Sequence, residues 1–459
     1  MDRLLGLMSK DDWIYTGILL TSFATAYFIK TKENNILLGG AIGFGMVLLI
    51  LRARIVYSII GIVFVLIVQQ YAPKKHQTLV VFIGTFVYLM IVRFIHFILP
   101  VDEVLSHANV VQLIITLRVI GLTFEISDAQ YNAKLVEGSV EDEKKKKRYL
   151  TQLPNLLEKL AYFYHFCGLF TGPYYTYQML LDSQNPILKS WSSKNEVMKR
   201  VKRLLWSVPV FIIANRLCPL DTIRSDDVWN VSIWIRFIYA AAIFLVFRAR
   251  VYSAWAIAES ICVVLGIGIY PVESKPRIIV GPTDLEKFNE LQKKENVEMD
   301  SEAIVNLNIP EVEFSNGFRD GMKAWNRSVQ TWLAIYVHSR VKFMRVELTM
   351  LVSALWHGVY AGYFMSFGVV AMCAKLEDVI FRLVPVNPAT GKRPAWFRYL
   401  YIHTIRCRGF EMLATGFLLK HGADVHRFWS SLYYWLPIVC IPFYIYDLMH
   451  PAPRKPKTN

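Results

Sequence analysis

Charged residues are scarce in this chain. They make up 19% of its 459 residues, while 54% are hydrophobic; a soluble globular chain carries about 25% charged residues. With the apolar residues also clustered, that shortage excludes a water-facing protein folded around one greasy core. Near-continuous apolar runs occupy 14–29, 36–51, 55–71, 79–99, 108–122, 205–217, 231–247, 252–271, 347–374, 399–420 and 429–447. They do not alternate apolar and polar residues, as the strands of a membrane β-barrel, about ten residues each, would do. The first twelve residues lack a basic region followed by a small-residue cleavage site, so the run at 14–29 reads as a retained helix rather than a removed signal peptide. Cysteine is sparse as well. Cys167, Cys218, Cys262, Cys373, Cys407 and Cys440 show neither metal-like nor redox-like spacing. All but Cys407 lie in or beside apolar segments, where a free thiol behaves as a small hydrophobe. No metal cluster, glycine-rich phosphate loop or internal repeat stands out.

What is present is a series of membrane-length runs. A helix needs roughly 20 apolar residues to span the hydrocarbon, and several runs fall short of that, so some are expected to tilt, pair or re-enter. The reading is an all-α integral membrane protein, a polytopic bundle of roughly eight to eleven spanning helices with short amphipathic or re-entrant pieces. It is taken as a single domain, with N-terminal helices over 1–125 and C-terminal helices and a basic tail over 376–459. The net charge of +15 is local, concentrated at 141–150, at 189–203, at Arg340, Lys342 and Arg345, and in the tail. Basic juxtamembrane segments favour the cytoplasmic side and anionic headgroups. No soluble domain remains to carry nucleic-acid binding.

Three segments depart from plain membrane helices. In 155–180, Gly172-Pro173 breaks any simple helix, and irregular backbone at membrane depth survives only where protein or a cavity shields it. After the longest polar region (272–322), KAWNRSVQTWLAIYVHSRVKFMR (323–345) places Val329, Trp332, Leu333, Tyr336 and Val337 on one helix face. This helix is too short to span and is expected to lie on or dip into the membrane. Asn326 stands at its start, open to three readings: a helix cap, a glycan acceptor in Asn326-Arg327-Ser328, or a working amide. If the glycan reading holds, Ser328 matters only as part of that pattern. The third segment, 346–374, is uncharged over 348–374 apart from His357 and is expected to be one spanning helix. An ionisable side chain there is either hydrogen-bonded between helices or functional.

The last two segments resemble the membrane-bound O-acyltransferase family, whose members carry an asparagine in a short helix and a histidine in a membrane helix. The matching residues are Asn326 in AWNRSVQTWL and His357 in SALWHGVYAGY. Trp356-His357-Gly358 followed by Gly362-Tyr363 is similar to the signature of the lysophospholipid acyltransferase branch. GLFTGPYYTYQML resembles a further family segment. So does FRARVYSAWAIAES, with Arg248, Tyr252, Trp255 and Glu259, although Arg250-Val251 stands where the family often has Lys and a Tyr pair. Within the branch, length, the Gly-Pro segment and RVIGLTFEISD (118–128) look most like lysophosphatidylinositol acyltransferases.

The resemblance implies a catalytic chamber, built largely from 155–375, and transfer of an acyl group from acyl-CoA, as co-substrate, to a lysophospholipid hydroxyl. No metal and no resident cofactor are implied. Imidazole, with an unperturbed pKa of about 6.5, suits the task of taking the hydroxyl proton, and an amide can orient the hydroxyl or donate to an oxyanion. His357 and Asn326 are therefore the catalytic candidates, and direct transfer is preferred. A covalent route would need a nucleophile such as Ser353, one turn before His357. Trp325, Trp332, Trp356, Gly358 and Tyr363 are candidate substrate contacts. Lys323, Arg327, Arg340, Lys342 and Arg345 are candidate holders of phosphate. A transporter with His357 on a proton path would show paired broken apolar segments in two halves, and only one Gly-Pro break falls in such a segment. A family member acting on a different lysophospholipid, a sterol, diacylglycerol or a protein remains the closer rival. Lys455 and Lys457 resemble a dilysine retrieval signal, which would place a multi-pass protein in the endoplasmic reticulum with its tail in the cytosol.

Overall fold

Among the described residues the first helix is capped by Ser9, whose hydroxyl accepts the Asp12 amide hydrogen at 3.1 Å while the Asp12 carboxylate reaches back to the Ser9 N–H at 3.3 Å, a reciprocal cap. The computed structural model describes residues 8–99, 106–136, 150–294 and 296–451. Most of the basic stretch at 141–150 and the tail lysines Lys455 and Lys457 lie outside the described residues. Helices dominate. The N-terminal series is α1 (Lys10–Ile29), α2 (Asn35–Leu51), α3 (Val56–Tyr71), α4 (Lys74–Ile98) and α5 (Ser106–Val136). Among the described residues four stretches are long and apolar enough to cross a membrane: Asn35–Tyr71, Lys74–Ile98, Ser106–Tyr131 and Ile233–Val264. The pair Gly422–Ser431 and Trp435–Met449, bent by 82°, makes a fifth candidate. The other apolar runs form helices that are shorter, broken or charged at one end. Large side chains such as Leu49, Ile98 and Leu217 stand almost fully exposed, as hydrocarbon-facing residues do.

Two compact units emerge from the chain. The first comprises Met1–Val208, Arg250–Leu307 and Asn326–Arg340. In it α2 meets α6 (Leu156–Tyr164) backbone to backbone: a Cβ on Gly43 would fall 1.8 Å from the Tyr164 carbonyl oxygen, the close approach that small residues give membrane helices. The irregular chain that follows α6 is almost wholly buried, and Arg118 of α5 supports it. The Arg118 guanidinium donates to the carbonyls of Tyr162 (3.0 Å), Phe163 (3.1 Å), His165 (2.8 Å) and Cys167. A buried cation in an apolar run is thereby matched by carbonyls that the end of a helix leaves open. The polar region after 271 holds short helices Leu285–Leu291, Ile309–Phe314 and Phe318–Ala324, and Tyr270–Pro271 pairs antiparallel with Met299–Asp300.

The second unit comprises Pro209–Ala249, Asn308–Trp325 and Val341–Asn459. Its core gathers Cys373, Leu376, Leu419, Phe428, Trp429 and Leu436. Here the expected single helix over 346–374 is corrected: it is two helices, Arg345–His357 and Ala361–Leu383. The cause is a backbone contact. The Gly362 amide donates to the Lys420 carbonyl at 2.8 Å, and a Cβ on Gly362 would meet the Gly416 carbonyl oxygen at 2.3 Å. A helix running through this point would need that amide for itself. His357 consequently stands at the end of a helix, not inside one.

Candidate active site

Asn326 precedes the helix Arg327–Leu333, which continues as a π-helical turn through Ala334–His338, a feature frequent at functional sites. Its backbone is left-handed, with φ 46° and ψ 51°, and its side chain caps nothing. Asparagine tolerates that region better than most residues. The cap comes from elsewhere: the Arg327 amide donates to the Asn306 carbonyl at 2.9 Å and the Ser328 amide to Asn306 Oδ1 at 3.0 Å. The capping role read for Asn326 is thus filled by another residue. The geometry does not favour the glycan reading either, because the sequon is folded into the helix start with Ser328 fully buried. Nor is Ser328 a bystander, since its hydroxyl accepts the Tyr174 amide hydrogen at 3.1 Å.

The rest of this helix packs against protein. Val329, Trp332, Leu333, Tyr336 and Val337 are all buried, so the face read as amphipathic turns into the unit and not toward lipid. Trp332 Nε1 donates to the Leu117 carbonyl at 3.3 Å, and Tyr336 stacks on Phe124 at 5.1 Å; both partners lie on α5. Trp332 is therefore a core residue. Trp255 Nε1 donates to the Thr171 carbonyl at 3.0 Å, and Glu259 Oε1 accepts the Asn306 amide hydrogen at 2.9 Å. Within this unit the segments around 118–128, 168–180, 252–260 and 326–336 are tied together.

His357, half-buried, sits in an aromatic nest of the second unit. Phe367 stacks on it at 5.3 Å, Phe417 meets it edge-on at 4.9 Å, and Trp356 and Tyr363 lie at 4.7 and 6.0 Å. Gly358 makes this possible, since a Cβ there would strike the Tyr363 ring at 2.5 Å. Ser353 is buried one turn earlier on the same helix. From Phe417 the rings continue to Phe247 at 5.9 Å and on to Trp325 at 5.6 Å. Arg248, beside Phe247, pairs with Glu313.

The cationic candidates separate. Arg327 is engaged by Glu302 at 2.5 Å and by the Val305 carbonyl at 3.3 Å, and so serves as a clamp. Arg340 pairs with Asp128 at 3.2 Å and lies over the Phe124 ring at 4.2 Å. Lys323, Lys342 and Arg345 are exposed in the second unit. In the first unit a cleft of about 850 Å³ is lined by Glu125, Asp128, Gln178, Arg277, Ser339 and Arg340, among others. Below it in chemistry, though not in importance, stands an ionic cluster. Burial alone would raise the Glu196 carboxyl, but hydrogen bonds from Lys199, Ser301 and Arg200 outweigh it and hold that carboxyl below the usual range. Among the described residues no group of three or more His, Cys, Asp or Glu side chains could hold a metal.

Reading the sequence missed Asn306, Arg118 and Arg277. Arg118 carried a signal, as the one charge in the run 108–122. Asn306 carried none, because its partners are distant in the chain.

Comparison with known proteins adds the remaining finding. The model of the membrane-bound O-acyltransferase family matches residues 44–417. The chain is 68% identical over 455 residues to the membrane-bound acylglycerophosphatidylinositol O-acyltransferase mboa-7 of Caenorhabditis briggsae, covering 99% of each. Its counterpart in Caenorhabditis elegans is 68% identical over 456 residues, again with 99% of each covered. The human acylglycerophosphatidylinositol O-acyltransferase MBOAT7 is 30% identical over 449 residues, which is 95% of this chain and 92% of the human one. On this evidence the chain belongs to the membrane-bound O-acyltransferase family.

Proposed function

We propose that this protein transfers a fatty acyl group from acyl-CoA to the free hydroxyl of lysophosphatidylinositol, remodelling phospholipid in the endoplasmic reticulum membrane. The observation that carries the reading is the identity along nearly the whole chain to two proteins named for acylglycerophosphatidylinositol acylation. His357 takes the hydroxyl proton as the oxygen attacks the thioester carbonyl. Asn326 orients that hydroxyl or donates to the oxygen that gains charge. The C–S bond then breaks, the ester forms, and the proton passes to the departing thiolate, whose thiol pKa of about 8.5 makes it a good leaving group. No covalent acyl-enzyme is needed, and Ser353 is left to helix packing.

Two features support these roles. The amide of Asn326 is not consumed by capping, and the imidazole of His357 is framed by aromatic rings while staying partly exposed. Both substrates carry phosphate, for which Arg277 and Arg340 in the cleft offer donors. Glu125, Asp128 and Gln178 could meet hydroxyls there. The deciding experiment offers purified protein one acyl-CoA with lysophosphatidylinositol, lysophosphatidylcholine and lysophosphatidylserine at equal concentration. Preferential acylation of the inositol lipid is expected. Equal or greater transfer to the choline lipid removes the headgroup assignment and leaves the family chemistry. The tail as a retrieval signal is tested by imaging a Lys455→Ser, Lys457→Ser double variant: escape supports the signal, and an unchanged location removes the signal though not the residence.

A further inference from the structure

The helix that follows Asn326 begins in an unusual way. The residue before a helix ordinarily supplies the cap from its own side chain, which would occupy the Asn326 amide. Here both of the first two amides are taken by Asn306, one by its carbonyl and one by its Oδ1. Asn306 is itself held. Its N–H donates to Glu259 Oε1 at 2.9 Å, and the other oxygen of that fully buried carboxylate accepts from Arg200 Nε at 3.1 Å and Arg203 Nη1 at 3.4 Å. Arg200 in turn reaches Glu196 Oε2 at 3.1 Å and the Ser301 hydroxyl at 3.1 Å. Asn306 is buried, and its Nδ2 has no protein partner. Of the side-chain amide, only the oxygen is used.

We propose that Asn306, fixed by the Glu259–Arg200 ion pair, is a positioning residue that sets Asn326 for acyl transfer. The inference rests on the reading of Asn326 as a catalytic residue. A merely structural cap would affect how much protein folds. A positioning residue affects turnover by each folded molecule, and it does so only while Asn326 is there to be positioned.

The test compares purified Asn306→Ala, Asn306→Ser, Asn326→Ala and the Asn306→Ala, Asn326→Ala double variant, assayed with acyl-CoA and lysophosphatidylinositol. Thermal unfolding normalises each to folded protein. Misplacement of a reacting group costs up to about a hundredfold, so Asn306→Ala is expected to lower kcat tenfold or more, with KM for both substrates within about twofold. Asn306→Ser keeps a neutral acceptor of shorter reach for the Ser328 amide without burying a new charge beside Glu259, so it should recover part of the loss. In the Asn326→Ala background, Asn306→Ala should add nothing, as residues acting through one another are not additive. Multiplying losses in the double variant would overturn the proposal. So would an Asn306→Ala variant that keeps the wild-type kcat. A fully active Asn326→Ala variant would instead remove the underlying reading, a distinguishable result. If Asn306→Ala does not fold, Asn306→Ser carries the test. Partial activity there supports the proposal, and full activity overturns it.

Discussion

The Ser328 hydroxyl receives the amide hydrogen of Tyr174 at 3.1 Å, with both residues fully buried. This bond joins the Gly-Pro segment to the helix of Asn326. Ser328→Ala would leave a buried N–H without an acceptor, at a cost of about 1–3 kcal/mol. A clear fall in the midpoint of thermal unfolding is expected. An unchanged midpoint would mean that the bond contributes nothing.

Asn326 has both a backbone and a side-chain reason to be asparagine, and two substitutions separate them. Asn326→Gly accepts φ 46° without strain, whereas Asn326→Ala bears roughly 1–2 kcal/mol of left-handed penalty. If the amide works on the substrate, both variants lose about a hundredfold or more in kcat. Only the alanine variant should lose stability as well. Wild-type turnover by Asn326→Gly would leave the residue a backbone role alone.

Replacement of His357 by Ala should remove transfer while the fold persists, because the imidazole is half exposed and its ring neighbours also contact one another. Loss of general-base catalysis is worth about 10²–10⁴-fold. A purified His357→Ala protein that keeps a tenth of normal turnover would contradict the assignment.

Acid sensitivity has an identifiable source in Glu196. Its carboxyl is held below its ordinary value of 4.5 in the folded protein. The stabilisation it contributes is therefore complete above that value and is lost as pH falls through the lower, folded one. Glu196→Gln should be less stable than wild type at neutral pH and should lose less stability on acidification below about pH 4.5. Unfolding midpoints at pH 7 and pH 4 decide this, and parallel falls in the two proteins would count against it.

For the cleft of the first unit, Arg277→Ala should raise KM for one substrate only, with kcat little changed. A rise confined to acyl-CoA places the nucleotide phosphates there, and one confined to the lysolipid places the headgroup there. An unchanged KM for both would remove Arg277 from binding.

Local pattern carried a good deal of this protein. The face through Val329, Trp332 and Tyr336 was legible from spacing, and the Trp-His-Gly run pointed to His357 and its family. The break after His357 was not legible, because 348–374 reads as uninterrupted apolar helix. What stops the helix is a bond from Gly362 to the distant Lys420 carbonyl. The lipid-facing role given to the Asn326 helix failed for a similar reason, since the buried partners on α5 come from far earlier in the chain. Asn306 looks like any polar loop residue until Ser328 and Glu259 are brought to it.

The clasp made by Asn306 on Arg327 and Ser328 also separates length from register. Residues 308–325 depart just after it and return just before it, so the position of Asn326 is pinned however long that excursion is. Doubling a flexible loop costs only about 0.6 kcal/mol in closure entropy. Exposed Asn316, between the two short helices of the excursion, is thus a graft point for an epitope or a fluorescent reporter that leaves the clasp in place.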